Sequence, residues 1–155
     1  MIKHCLLAFA AFGMCMGALA QEASVAPGIN DNFKRDPKVE EYVERFEGES
    51  RSIYVHRQDI LESLELKPGM AVADIGAGTG FFSLMFSEKV GQEGRVYAVD
   101  IAESFIEHIK KISMEQGRTN IEGIVCDERS VKLPAESIDL AFICDTYHHF
   151  EYPFD

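Results

Sequence analysis

The chain has 155 residues, 46% of them hydrophobic and 26% charged, with 12 Gly, 5 Pro and no low-complexity tract. These values exclude a disordered, collagen-like or coiled-coil protein and fit one globular domain. Fifteen Lys and Arg against 26 Asp and Glu give a net charge of −11, which repels phosphate backbones and anionic headgroups and argues against nucleic acid or a membrane surface as partner.

Met1 to Ala20 reads as a secretory signal: Lys3 gives the positive start, Cys5 to Gly17 the apolar stretch, and Ala18-Leu19-Ala20 the small-x-small cleavage pattern. The prediction is a mature chain from Gln21, exported to the periplasm, with an uncleaved membrane anchor as the other outcome. Cys15 follows Phe12-Gly13-Met14, which lacks the aliphatic residue of a lipid-attachment site. After cleavage only Cys126 and Cys144 remain, at a spacing that fits no zinc pattern. Both fall at strand ends with two other strands between them, too far apart for a disulfide.

Gln21 to Asn32 is polar and reads as a flexible leader. A helix follows, with Asp36 as N-cap, Pro37 at its first position, a stripe of Val39, Tyr42, Val43 and Phe46, and Gly48 as its end. A second helical stretch covers about Ile53 to Leu64, and Lys67-Pro68-Gly69 is a turn. The pattern then alternates: a strand over Met70–Ile75, a helix over Phe81–Val90, a strand over Arg95–Val99, a helix over Ala102–Gln116, and strands over Ile121–Cys126 and Ile138–Cys144. Apolar strands separated by amphipathic helices predict an α/β fold, a doubly wound, mostly parallel Rossmann-like sheet. Three segments result: a signal over 1–20, a leader and N-terminal helices over 21–66, and a ligand-binding domain over 67–155.

The segment Asp74-Ile-Gly76-Ala-Gly78-Thr-Gly80-Phe81 carries most of the chemistry. A glycine-rich turn between a first strand and a helix brings backbone close to a ligand. Asp100 ends the second strand twenty residues past Gly80, where a carboxylate accepts the ribose hydroxyls of an adenosine-type ligand. Dinucleotide folds use G-x-G-x-x-G, and here Phe81 occupies the third glycine's position. Asp74 would also repel phosphates, whereas it suits a ligand bearing an ammonium group. S-adenosylmethionine (AdoMet) has an α-amino group, a sulfonium and no phosphate, so the charge pattern favours it over NAD.

On this loop, Asp100, the Asp127 that follows the third strand and the Leu133-Pro134 before the fourth, the sequence from about Lys67 to Phe154 resembles the class I AdoMet-dependent methyltransferases. Ala141 to Pro153 (AFICDTYHHFEYP) is similar to a subgroup of small-molecule methyltransferases that includes exported proteins. The resemblance implies that Asp74 contacts the methionine end of AdoMet. Gly76, Gly78 and Gly80 would line the floor, with Ala77 and Thr79 presenting backbone. Asp100 would hold the ribose and Ile101 would pack on the adenine, while Asp127 or, because its loop is long, Glu128 would accept from the adenine amino group. Asp145 would lie near the sulfonium and the acceptor. No metal is implied. Methyl transfer is an in-line displacement, and if a side chain takes the acceptor's proton, His148 is the first candidate and Tyr147 the second. The alternative for the adjacent pair is one His packed and one at the pocket mouth. Arg51 and Arg57 read as solvated helix charges, with a carboxylate of cofactor or substrate as the other partner.

The family fold has seven strands in the order 3-2-1-4-5-7-6, and this sequence supplies the 3-2-1-4 part. The expectation is therefore a chain that is part of a longer reading frame, or a sheet completed by a partner or by self-association through the exposed fourth-strand edge. Two readings compete: a methyltransferase acting on a small molecule, and a non-catalytic AdoMet- or nucleoside-binding module. A third, an NAD-dependent oxidoreductase, is opposed by Phe81 and Asp74.

Overall fold

The computed structural model describes residues 20–155; the secretory-signal reading of Met1 to Ala20 lies almost wholly outside them. Four parallel strands form one sheet in the order β3-β2-β1-β4: β1 (Ala71–Ile75), β2 (Arg95–Asp100), β3 (Ile121–Val125) and β4 (Leu140–Ile143). Helices α5 (Phe81–Val90) and α6 (Glu103–Glu115) make the crossovers from β1 to β2 and from β2 to β3. Before the sheet come four short helices, α1 (Asp31–Lys34), α2 (Val39–Phe46), α3 (Ser52–Val55) and α4 (Arg57–Ser63).

The sheet is Rossmann-like, as the strand and helix patterning predicts. Val72, Val96, Ala98 and Val99 are fully buried because helices cover the sheet: α5 packs Phe82, Phe86 and Val90 with Val72 and Val96, and α6 packs Ile106 and Ile109 with Ala98. The fourth strand is shorter than Ile138–Cys144. Asp139 precedes it, donating its N–H to the Ala71 carbonyl at 2.7 Å and accepting the Ala71 N–H on its carboxylate at 2.7 Å. β4 thus begins one residue later, at Leu140. Cys126 and Cys144 are free thiols, with β2 and β1 between the strands that precede them.

Three expectations about the N-terminal part change. Asp36 is not an N-cap: α2 starts at Val39, with Lys38 in the cap position and no side-chain cap. Pro37 disfavours helical backbone at the residue before it, and Asp36 adopts φ 61°, a left-handed conformation that Asp tolerates. The stretch 53–64 is two helices broken at His56, where the Arg57 side chain takes the Tyr54 carbonyl at 2.7 Å. The leader is docked, not free. Val25 N–H donates to the Glu151 carbonyl at 2.9 Å, Ser24 Oγ to the Glu151 carboxylate at 2.9 Å, and Asn30 Nδ2 to the His149 carbonyl at 2.9 Å. No helix among the described residues is long and apolar enough to cross a membrane.

Phe86 is fully buried, with its ring 5.0 Å from Phe142 on β4 and 5.8 Å from Phe82. It therefore ties α5 to the strand at the sheet's edge. Phe86→Ala is expected to cost about 3–5 kcal/mol in urea denaturation. Met114→Ala, at an 82% exposed site, should change stability by less than about 0.5 kcal/mol. Equal effects would place the core elsewhere.

Candidate functional site

All four strands run parallel, so their C-terminal ends lie along one edge, and Asp74, Asp100, Asp127 and Asp145 fall at or just beyond those ends. A cavity of about 450 Å³ opens above this edge. Its floor is the glycine loop. Its roof comes from the N-terminal segment, through Asn30, Phe33, Phe46, Arg51 and Tyr54. The volume falls in the range of small-molecule sites.

Two of the three loop glycines are fixed by sterics. A Cβ at Gly76 would stand 2.2 Å from the Thr146 methyl, and one at Gly80 would stand 2.6 Å from Ile109 on α6. Both residues also have positive φ, 76° and 82°. Gly78 faces the cavity, where Phe46 lies 3.5 Å from a would-be Cβ.

Four of the loop amides are spent inside the chain. Gly76 and Ala77 N–H both donate to the Val99 carbonyl, at 2.8 and 3.0 Å, and Gly80 N–H donates to the Ala77 carbonyl at 2.9 Å. Gly78 N–H donates to Asp100 Oδ2 at 2.9 Å. The first turn of α5 is met by Asp74, whose Oδ2 accepts from Ser83 Oγ at 2.6 Å. In a dinucleotide site these donors and this helix terminus serve the phosphates. Here a carboxylate of the chain already stands at that terminus, so the loop is unsuited to a pyrophosphate. The buried Thr79 donates its hydroxyl to Glu47 at 2.7 Å.

Asp74 is 4% and Asp100 7% exposed. Burial holds the Asp74 carboxyl up at about 7; the Ser83 hydroxyl pulls it down and the charge of Asp100 adds to the rise. Burial likewise raises Asp100, against the amides of Ala102 and Gly78 that stabilise its charge. Among the described residues neither carboxylate has an ion-pair partner. Two desolvated carboxylates facing one cavity leave room for a cation. Ile101, next along, also borders the cavity.

Asp127 and Glu128 border it too, but each has a partner in the chain. Asp127 Oδ1 accepts the N–H groups of Arg129 and Ser130 at 3.0 and 2.9 Å, a loop cap that holds its carboxyl below the usual range. Glu128 pairs with Lys34 on α1.

Asp145, with φ 53°, pairs with Arg51. Arg51 is a cavity residue and not a solvated helix charge: its guanidinium lies 5.0 Å over the Phe46 ring. Nothing in its sequence surroundings marks this partnership across 94 positions. Arg57 lies over the Tyr54 ring at 4.4 Å.

Of the proton-transfer candidates, His148 and Tyr147 do not border the cavity. Both are exposed, Tyr147 by 61%. His149 does border it, with its ring edge-on to Phe33 at 5.2 Å and Nδ1 buried without a hydrogen-bond partner. Burial, then the neighbouring His148, lowers its pKa. The segment is a single 3₁₀ turn, Tyr147–His149, whose successive side chains diverge widely. Among the described residues no group of three His, Cys, Asp or Glu comes together as a metal site.

The sequence profile of the family described as "Methyltransferase domain" matches residues 72–154. Aklanonic acid methyltransferase from Streptomyces sp. strain C5 is 42% identical over 72 residues, which is 46% of this chain and 33% of that protein. Ribosomal RNA large subunit methyltransferase E from Nitrosospira multiformis is 34% identical over 117 residues, 76% of this chain and 52% of that protein. The chain thus spans about half, or less, of the length of these relatives. A solved structure of a SAM-dependent methyltransferase from Aquifex aeolicus superposes with a TM-score of 0.66 at 28% identity, covering 76% of this chain and 62% of that one. With a glycine loop, two buried acids and a 3-2-1-4 sheet in this setting, the chain belongs to the class I S-adenosylmethionine-dependent methyltransferases.

Proposed function

We propose that the chain binds AdoMet across the ends of β1 and β2 and transfers its methyl group to a small, largely apolar acceptor. The observation that carries this reading is the pair of buried carboxylates without an ion-pair partner among the described residues, beside a loop in which the amides of Gly76, Ala77, Gly78 and Gly80 are already paired. Such a site favours a nucleoside ligand with positive charge and no phosphate. An apolar acceptor suits the cavity wall, where Phe33, Phe46, Tyr54, Phe81 and Phe150 supply aromatic surface. The net charge of −11 opposes an RNA acceptor. Export, supported by the apolar start of the chain, belongs to the same reading.

AdoMet supplies a methyl group on a sulfonium, already activated for in-line displacement. The protein's part is to position and to exclude water. Asp100 keeps lone pairs beyond those bonded to Gly78 and Ala102, and these accept the ribose hydroxyls. Asp74 faces the ammonium end. Aromatic walls keep water from the reacting atoms, and alignment alone is worth about 7–11 kcal/mol of the barrier. His149, in the wall and with a lowered pKa, is the group assigned to the acceptor's proton in place of His148 and Tyr147.

Equilibrium binding tests the site. Asp100→Ala should weaken AdoMet by about one to two orders of magnitude, the loss of two charge-assisted hydrogen bonds partly replaced by water. Binding as tight as the parent's removes Asp100 from the site.

Folded Asp74 keeps its proton up to about 7, whereas its ordinary value is 3.8. The stability gained by burying it neutral is complete below about pH 4 and is lost as pH climbs through 7. A cationic ligand favours the ionised form, so binding at about pH 6 should expel a proton. The calorimetric enthalpy should then vary with the ionisation enthalpy of the buffer, and AdoMet affinity should rise between about pH 5.5 and 7.5. Asp74→Asn should show neither effect; a parent chain without either would detach Asp74 from the ligand.

A further inference from the structure

The amino-acid end of AdoMet carries a carboxylate as well as an ammonium, and a carboxylate taken out of water needs a cation. Two guanidinium groups border the cavity. Arg129, beyond β3, is held by Asp155 at 2.6 Å, by the Gln21 carbonyl at 2.9 Å and by the Tyr152 ring at 3.7 Å. It stands on the side of the sheet where the adenine is expected. Arg51 stands on the other side. Its ring partner Phe46 rests against Gly78, and its ion-pair partner Asp145 precedes Thr146, whose side chain fills the space over Gly76. Arg51 is therefore over the glycine loop, at the ends of β1 and β4. Its polar partner is Asp145, in a partly exposed pair with side chains 26% and 52% accessible. Pairs of that kind are weak.

We infer that Arg51 exchanges partners on loading: it holds Asp145 in the ligand-free chain and the carboxylate of the ligand's amino-acid end in the complex. This rests on the AdoMet reading of the cavity. The exchange releases the Asp145 carboxylate, at the end of β4, for the methyl acceptor. Cofactor occupancy thereby shapes the acceptor side, and the two ligands favour one another's binding. The site also gains selectivity for the amino-acid end, because the bare nucleoside cannot draw Arg51 away.

Two ligands separate this from a purely structural role for Arg51. S-adenosylhomocysteine has the amino-acid end and no sulfonium charge, and 5′-methylthioadenosine has the same nucleoside without that end. Calorimetric titration of the full chain should show Arg51→Gln weakening S-adenosylhomocysteine about tenfold and leaving methylthioadenosine unchanged. Asp145→Asn, by removing the internal competitor, should tighten S-adenosylhomocysteine about two- to fivefold and leave methylthioadenosine unchanged. Arg51→Lys keeps the charge and should recover part of the loss. The inference is overturned if Arg51→Gln weakens both ligands equally or neither, or if Asp145→Asn weakens S-adenosylhomocysteine. A parent chain that takes up neither ligand overturns the proposed function as well, so the two failures are told apart.

Discussion

Burying two carboxylates on adjacent strands is the constraint on which the rest of the site depends. Asp74 and Asp100 lie in the last two residues of adjacent parallel strands, and each loses most of its water to the helices and loops around it. Such groups persist only with hydrogen bonds or a cation. The chain supplies the first through Ser83, Gly78 and Ala102, and the cavity is open to the second. This explains why Asp74 stays protonated to about 7 in the ligand-free chain, and why a positively charged ligand would change its state.

The same constraint accounts for the glycine loop. To donate Gly78 N–H to Asp100 and to return both Gly76 and Ala77 N–H to Val99, the backbone must turn tightly with positive φ at 76, 78 and 80. Thr146 and Ile109 then close in on Gly76 and Gly80 until no side chain fits. The loop is thus a packed junction between β1, β4 and α6, and it shows the cavity Gly78 and the carboxylates behind it. Above it, Lys34–Glu128, Glu47–Thr79 and Arg51–Asp145 draw the N-terminal helices over the sheet edge.

Most of the segment from Met70 to Val125 is legible in the sequence because its signals are local. Apolar strands, amphipathic helices and an Asp-x-Gly-x-Gly-x-Gly turn repeat their meaning at short spacing, so Asp74, the glycines and Asp100 stand at the strand ends where the pattern puts them. The roof is different. Arg51 meets Asp145 across 94 positions and Glu47 meets Thr79 across 32; a charge on a short helix looks the same whether it faces water or a cavity. The docked leader depends on Ser24 and Asn30 reaching Glu151 and His149, partners that no periodicity announces. His148 and His149 differ only by the phase of one 3₁₀ turn, which the Asn30 bond to the His149 carbonyl helps to fix.

Selection of a phosphate-free, positively charged nucleoside by the cavity is tested most directly by calorimetric titration of the full chain with AdoMet and, separately, with NAD. The predicted result is saturable AdoMet binding in the micromolar range and no heat with NAD. NAD binding as tight as AdoMet, or a folded chain that binds neither, would contradict it.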